Sequence, residues 1–258
     1  MMRKSTLIVA LAAVVLLIGT SCDTLVTLTK PNVETEAVDS GATLRLTWTA
    51  VTDAQSYEIT TDDSTYSTVS TSFDVTTPTA TIDVRAVNGN DKSDPATIDC
   101  KVVETSSLVL YGKLDANPDD PSGLAFTTSG SASALSLADA NKPSIDFVCD
   151  DVDITPVGLA NAGDYGWASN TKMNALMDAG TDYDALTEAA GSGAYDSQLS
   201  IAANGVYALW LGATTNWTTS DHFAKAKIIS LEQPSGTYYK VTLRVAYQKI
   251  GGLRWLKS

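Results

Sequence analysis

The sequence is poor in the side chains that carry the commonest catalytic and metal chemistry. It has one histidine, His222, and three cysteines, which leaves little material for a histidine-based triad or a cysteine/histidine zinc site. Cations are also scarce, with 17 lysines and arginines against 30 aspartates and glutamates and a formal net charge of −13. That balance argues against a nucleic-acid partner, which a basic face normally marks.

Long apolar runs are rare as well, and the clearest one lies at the amino terminus. Residues 7–18 contain only Leu, Ile, Val and Ala. Spanning a bilayer takes about 20 apolar residues, so this run is short for a transmembrane helix. Arg3 and Lys4 precede it and supply the positive start of a secretory signal. We therefore predict a signal peptide over residues 1–21.

The end of this segment reads Gly19-Thr20-Ser21-Cys22. Small residues followed by a cysteine resemble the lipobox of bacterial lipoproteins, although Gly19 stands where that family usually has leucine. The resemblance implies lipidation of Cys22 and a lipid-anchored, exported protein of the bacterial cell envelope. The alternative is an ordinary secretory signal in which Cys22 has no special role. Residues 22–30 are then a polar tether.

Short alternating segments begin near residue 31. Leu44, Leu46 and Trp48 alternate with polar residues, and further alternating runs recur at spacings near ten residues. Spacings of this kind without a helical period predict an antiparallel sandwich.

Two stretches of this region, "LRLTWTAVTDAQSYEI" and "TIDVRAVNGNDKSDPATI", resemble a fibronectin type III module over residues 31–104. Trp48 and Tyr57 match the core aromatics of its second and third strands. Ile82 departs from the family, which usually has tyrosine there. The resemblance implies a spacer, since such modules commonly act as spacers.

The remaining residues, 105–258, form a second region with several alternating segments. Met173, Leu176 and Met177 have the i, i+3, i+4 spacing of a helix, Gly180 is a suitable end, and Thr181 is a suitable cap for a second short helix. The predicted fold class is therefore mainly β: a fibronectin type III-like sandwich followed by a larger β-rich domain with a small helical insert within residues 170–190.

The segments "GVYALWL", "HFAKAKIISLE" and "YYKVTLRVAYQKIGG" faintly resemble the end of HmuY-type envelope lipoproteins. That family takes haem between two histidines. His222 is the only histidine here, so the resemblance implies a fold without that ligation. A position on the surface or at a strand end is the simpler interpretation of His222.

Two acidic clusters are candidate calcium ligands, because Ca²⁺ prefers carboxylate and amide oxygens. The first contains Asp115, Asn117, Asp119 and Asp120, and the second contains Asp150, Asp151 and Asp153. The first cluster lacks the glycine and glutamate positions of an EF-hand, and its prolines favour a turn-rich loop as the alternative.

Trp167 and Trp217 lie in loop-like sequence among glycine, threonine and asparagine. An exposed indole ring there would stack on a sugar or another flat ligand. The alternative is that both rings pin their loops to the core.

Cys100 and Cys149 remain once Cys22 is lipidated. In an exported protein they are candidates for a disulfide that joins the two regions. Each lies on the apolar side of an alternating segment, so two free buried thiols in separate cores are the preferred prediction.

We therefore expect a non-catalytic, lipid-anchored envelope protein without a cofactor, in which a spacer presents a β-rich domain for adhesion or ligand binding. Its expected partners are the membrane, through the anchor, and a polysaccharide or another envelope protein. A carbohydrate- or haem-binding lipoprotein is one alternative. A hydrolase with a pair of catalytic carboxylates is the second.

Overall fold

Residues 27–114, 117, 119–127, 129–191, 193, 195–212, 216–234 and 236–258 are described by a computed structural model of the chain. The prediction of a mainly β protein is confirmed, because strands make up 45% of the structure and helical turns 5%. Within these residues the helical turns are short 3₁₀ helices at Asp39–Gly41, Lys142–Ser144 and Ala162–Tyr165.

The first eight strands form two antiparallel sheets, which we call the first sandwich. They are β1 (Val33–Val38), β2 (Thr43–Trp48), β3 (Ser56–Thr61), β4 (Thr65–Thr68), β5 (Ser72–Val75), β6 (Thr81–Asn88), β7 (Asp91–Lys92) and β8 (Ala96–Asp99). One sheet has the order β1-β2-β5, and the other has the order β4-β3-β6-β7 with β8 also paired to β6. Leu44, Leu46 and Trp48 of β2 face the core because side chains alternate along a strand.

The next ten strands form the second sandwich. They are β9 (Val103–Tyr111), β10 (Gly123–Phe126), β11 (Ala132–Leu135), β12 (Phe147–Asp150), β13 (Gly158–Asn161), β14 (Asn174–Asp178), β15 (Gln198–Ser200), β16 (Val206–Leu211), β17 (His222–Glu232) and β18 (Lys240–Tyr247). Its two sheets have the orders β11-β10-β12-β13-β15 and β14-β16-β17-β18-β9. Phe147 and Cys149 of the first sheet pack with Leu209 and Leu243 of the second in one core.

The predicted helical insert within residues 170–190 is wrong. Residues 174–178 form strand β14, which pairs with β16 along its full length. Leu176 packs in the core of the second sandwich, whereas its neighbour Met177 packs against a cluster on the opposite face of the sheet. The spacing that suggests a helix therefore reflects a strand at a sheet edge. Residues 181–190 form turns and a single bridge, and Thr181 caps no helix.

These turns cover the outer face of β17 and hold a buried lysine there. Lys225 has 1% of its surface exposed. Its ammonium group donates to the backbone carbonyls of Tyr183 at 3.0 Å and Leu186 at 3.2 Å, and it also lies 4.3 Å from the centre of the Tyr183 ring. Burial lowers the pKa of Lys225, because desolvation disfavours the charged ammonium.

Residues 248–258, which we call the tail, return from the second sandwich to the first. Trp255 is fully buried in the first sandwich's core, and its indole nitrogen donates to the carbonyl of Ala42 at 3.0 Å. Gln248 is also fully buried and donates to the carbonyls of Cys100 and Trp255. Arg254 donates to the carbonyl of Ser40 at 2.8 Å. Residues of the tail therefore form part of the core of the first sandwich.

Cys100 and Cys149 are free thiols, as preferred from their sequence pattern. Cys100 is buried in the core of the first sandwich, and Cys149 is buried in the core of the second. Among the residues with a described position, no helix is long and apolar enough to cross a membrane.

Candidate functional site

A groove runs along one end of the second sandwich, where β10, β16 and β18 end and β14 and β17 begin. It has two lobes that share residues 172–174 in their linings. The large lobe has a volume of about 520 Å³ and includes Trp167. The small lobe has a volume of about 250 Å³ and includes His222 and Tyr247. The large lobe is within the range of about 300–1,000 Å³ that is usual for ligand sites.

Three buried asparagines form the polar floor of the large lobe. Asn161 caps the 3₁₀ helix that follows β13 by accepting from the amide of Gly163. Asn170 donates to two backbone carbonyls at 2.7 and 2.8 Å. Asn174 accepts from the amide of Gly212 at 3.1 Å, which ties β14 to the end of β16. These amides hold the loops in place and give the lobe a fixed shape.

Trp167 forms part of the wall of the large lobe and is half-buried. Its ring stacks on Tyr165 with 5.4 Å between the centroids, and the ammonium of Lys142 lies 5.3 Å from its centre. The indole nitrogen makes no hydrogen bond to any residue the structure describes. Trp167 therefore pins its loop to the protein and also lines the lobe.

An ion pair lies in the middle of the groove. Lys172 donates to Asp146 at 2.8 Å and to the carbonyl of Ser144 at 2.8 Å. Asp146 has 4% of its surface exposed and also accepts from the amide of Phe126 at 2.7 Å. Burial raises the pKa of Asp146, and the opposing effect of Lys172 does not cancel this rise. The pair neutralises the charge at the junction of the two lobes.

Three stacked rings line the small lobe. His222 stacks on Tyr247 with 5.2 Å between ring centroids, and Tyr247 stacks on Phe126 at 5.4 Å. Nδ1 of His222 donates to the carbonyl of Gln248 at 3.1 Å, because a carbonyl oxygen only accepts. Burial raises the pKa of Tyr247 to about 12, so its hydroxyl stays protonated at neutral pH.

The structure separates the two tryptophans that the sequence suggested as ligand-binding residues. Trp217 packs against the first sandwich's core and against the outer cluster of the second. Its indole nitrogen donates to the carbonyl of Gly252 in the tail at 2.8 Å. Trp217 therefore lies between the sandwiches, and only Trp167 lines the groove.

The first acidic cluster lies elsewhere on the second sandwich. Asn117, Asp119 and Asp120 line a cavity of about 320 Å³ together with Lys113, and Asp115 lies outside the described residues. Among the residues with described positions, no group of three or more His, Cys, Asp or Glu side chains is arranged to hold a metal ion. A calcium site at this cluster remains a prediction.

The second acidic cluster is engaged by protein groups. Asp150 has 1% of its surface exposed, pairs with Lys113 at 3.1 Å and accepts from the hydroxyl of Tyr165. Asp151 accepts from backbone amides at 2.9 and 3.0 Å, and Asp153 pairs with Lys113 at 3.0 Å. Burial opposes ionisation of Asp150, but hydrogen bonds from Tyr165, the amides of Asp153 and Val152, and Lys113 outweigh it and lower its pKa. Lys113 thus supplies the cation that binds this cluster.

Sequence reasoning missed most of the groove. Asp146 and Lys172 are 26 residues apart in the chain, and Tyr247 comes from the last strand. The one available signal was Asp146 itself, a charged residue between Ile145 and Phe147 in an apolar segment.

Comparisons with known proteins give little beyond this geometry. No protein-family model matches the chain, and no curated protein matches it. The chain is similar to a solved structure named "Structure of FN3tt mut", with 28% sequence identity, over 28% of this chain and 92% of that chain, at a TM-score of 0.25.

Proposed function

We propose that this chain is a lipid-anchored protein of the bacterial cell envelope that binds a carbohydrate in the groove of the second sandwich. In this proposal the first sandwich is a fibronectin type III-like spacer, and the protein has no catalytic activity. The observation that carries the proposal is Trp167, a half-buried aromatic that lines a lobe of about 520 Å³ and whose indole nitrogen has no hydrogen-bond partner among the described residues.

The other groups of the large lobe suit a sugar. Neither the hydroxyl of Thr171 nor that of Ser197 makes a hydrogen bond to a residue the structure describes, and both residues line the lobe. Asp164 is exposed there and adds a carboxylate acceptor. Sugar hydroxyls both donate and accept, so a mixture of donors and acceptors beside an aromatic edge satisfies them better than it satisfies an apolar ligand.

Affinity measurements with soluble polysaccharides test this proposal. We expect the detergent-solubilised protein to be retarded in a native gel that contains its glycan, from a panel of neutral glucans, mannans and xylans. Trp167→Ala should weaken that binding about tenfold or more, equivalent to at least about 1.4 kcal/mol. Tyr66→Ala is the matched control, because Tyr66 is an aromatic with 41% exposure on the first sandwich. Equal loss in both variants, or no binding by any glycan, would contradict the proposal.

The anchor has a separate test. We expect the wild-type protein to partition into the detergent phase, because lipidation at Cys22 adds acyl chains that bind membranes. Cys22→Ser should move the protein to the soluble fraction, whereas Cys149→Ser should leave it in the detergent phase. A soluble wild-type protein with an unmodified Cys22 would refute the anchor without affecting the groove.

Haem binding by two histidines does not fit these residues. His222 is the only histidine of the sequence, and its Nδ1 is engaged by the carbonyl of Gln248. We expect a haem titration followed at the Soret band to give the same weak response for wild type and His222→Ala. A sharp Soret response that is lost in His222→Ala would mean that His222 binds the haem iron together with a side chain that is not a histidine.

A further inference from the structure

We infer that the groove takes a linear, neutral glycan of several sugars that occupies both lobes at once. This inference rests on the proposed function, and it adds the length and charge of the ligand. The two lobes share Lys172, Met173 and Asn174 in their linings, so a bound chain passes from one to the other without leaving the protein surface.

Met173 lies at the crossing point and has 56% of its surface exposed. Such an exposed large apolar side chain is unusual at this position, because the residues that follow it at the start of β14 are buried. The thioether chain is flexible and polarisable, so it adapts to the face of a sugar ring that lies over it. Met173 therefore provides a contact between the two lobes that requires no rearrangement of the backbone.

The volumes of the lobes indicate how they divide the ligand. The small lobe, at about 250 Å³, falls below the range of about 300–1,000 Å³ that is usual for an independent ligand site. The half-buried His222 ring nevertheless lines this lobe, and its Nε2 makes no hydrogen bond to the described part of the chain. We assign it as an extension that binds the part of a chain that leaves the large lobe.

The charges of the groove favour a neutral chain. Lys172 is paired with Asp146, and Lys142 is paired with Asp139 at 2.6 Å. The carboxylate of Asp164 has an amide partner but no described cation. The lining of the two lobes thus has a paired cation, Lys172, and a carboxylate, Asp164, with no described cation, and this arrangement disfavours uronic acids and other anionic sugars.

The experiment measures affinity against chain length with oligomers of two to six sugars, cut from the neutral glycan that binds in the polysaccharide panel. For the detergent-solubilised wild-type protein, affinity should rise with length until both lobes are filled, by about tenfold overall. His222→Ala should bind the shortest oligomers, which fill only the large lobe, like wild type and lose most of the gain with length, because His222 lines only the small lobe. Ile229→Ala is the control, because Ile229 is an exposed apolar residue of β17 outside the groove.

The outcomes separate this inference from the proposed function. If Trp167→Ala abolishes binding but wild type and His222→Ala depend equally on length, the large lobe alone binds and the inference is wrong. If a carboxylated oligomer of equal length binds better than the neutral one, the assigned charge is wrong. If Trp167→Ala has no effect on any oligomer, the proposed function itself fails.

Discussion

The two sandwiches differ in how they complete their cores. The second sandwich buries its core between two five-stranded sheets that come from one continuous stretch of chain. The first sandwich has eight strands instead of ten and takes Leu253 and Trp255 from the tail into its core. A small domain buries a smaller fraction of its surface, so an added tryptophan matters more there. The first sandwich therefore takes part of its core from residues 248–258, although its strands come first in the chain.

Trp255→Ala should have the largest effect on stability. Removing a fully buried tryptophan costs about 3–5 kcal/mol, since it leaves a cavity as well as losing apolar contacts. We expect chemical denaturation to show this loss. Backbone amides of β2 and β5 should become the least protected against hydrogen exchange, although they lie far from residue 255 in sequence.

Trp167→Ala is the matched control for this comparison, because Trp167 is half-buried and packs only on residues of the second sandwich among those described. We expect it to cost less than half as much as Trp255→Ala and to leave exchange in the first sandwich unchanged. If Trp255→Ala loosened only the second sandwich, the first would not need the tail.

Asp150→Asn should have the next largest effect, confined to the second sandwich. The buried carboxylate binds Lys113 and Tyr165, and breaking such a pair costs about 3 kcal/mol. Since the folded-state pKa of Asp150 is lowered, this stabilisation is present above the unfolded pKa of about 3.9 and is lost as the pH falls through the folded pKa. The difference between wild type and variant should therefore shrink in acid.

Asp153→Asn supplies the control for this pair. Asp153 also contacts Lys113, but 65% of its side chain is exposed, so the change should cost under about 1 kcal/mol. Thermal unfolding of both variants at pH 7 and pH 3 measures the two effects. Equal losses for the two variants would show that burial is not what gives Asp150 its effect.

Strand faces that follow from alternating apolar and polar residues can be predicted from the sequence. Leu44, Leu46 and Trp48 were assigned to one strand face because their period is two, and the structure confirms it. The spacing of Leu176 and Met177 predicts a helix wrongly, because a few apolar residues fit both helical and strand spacing. Only the pairing with β16 decides between the two.

The positions of the tail and the groove cannot be predicted from local sequence patterns, because both depend on contacts between distant parts of the chain. Nothing in the residues around Trp255 specifies that this ring enters a core built from residues more than 150 positions earlier. The groove likewise joins the ends of five strands, so its existence depends on sheet order. Trp167 was identified only because it is a large aromatic in loop-like sequence.

Lys225→Met should have a smaller effect, on the side of the second sandwich away from its core. The change leaves the carbonyls of Tyr183 and Leu186 without their donor, at a cost of about 2 kcal/mol at neutral pH. The folded-state pKa of Lys225 is lowered below its unfolded value of about 10.4. At pH values between these two pKa values the unfolded state binds more protons, so the free energy of unfolding of the wild-type protein rises with pH.

The variant should lack that gain. Lys227→Met is the control, because Lys227 is half-exposed on the same face of β17. Urea unfolding of the three proteins at pH 7 and pH 9 measures the effect. An identical pH response in wild type and Lys225→Met would contradict the assignment of a buried ammonium.

The two thiols give the smallest perturbation and the most direct view of how the sandwiches are coupled. In a Cys22→Ser background, Cys100 reports on the first core and Cys149 on the second. Burial raises the pKa of both thiols, that of Cys100 to about 12, so neither should be alkylated in the folded protein at pH 8. Because the tail continues from β18 of the second sandwich into the core of the first, we expect both thiols to become reactive at the same urea concentration. In Trp255→Ala, Cys100 should react at a lower urea concentration than Cys149. Separate midpoints in the wild-type background would show instead that the sandwiches unfold independently.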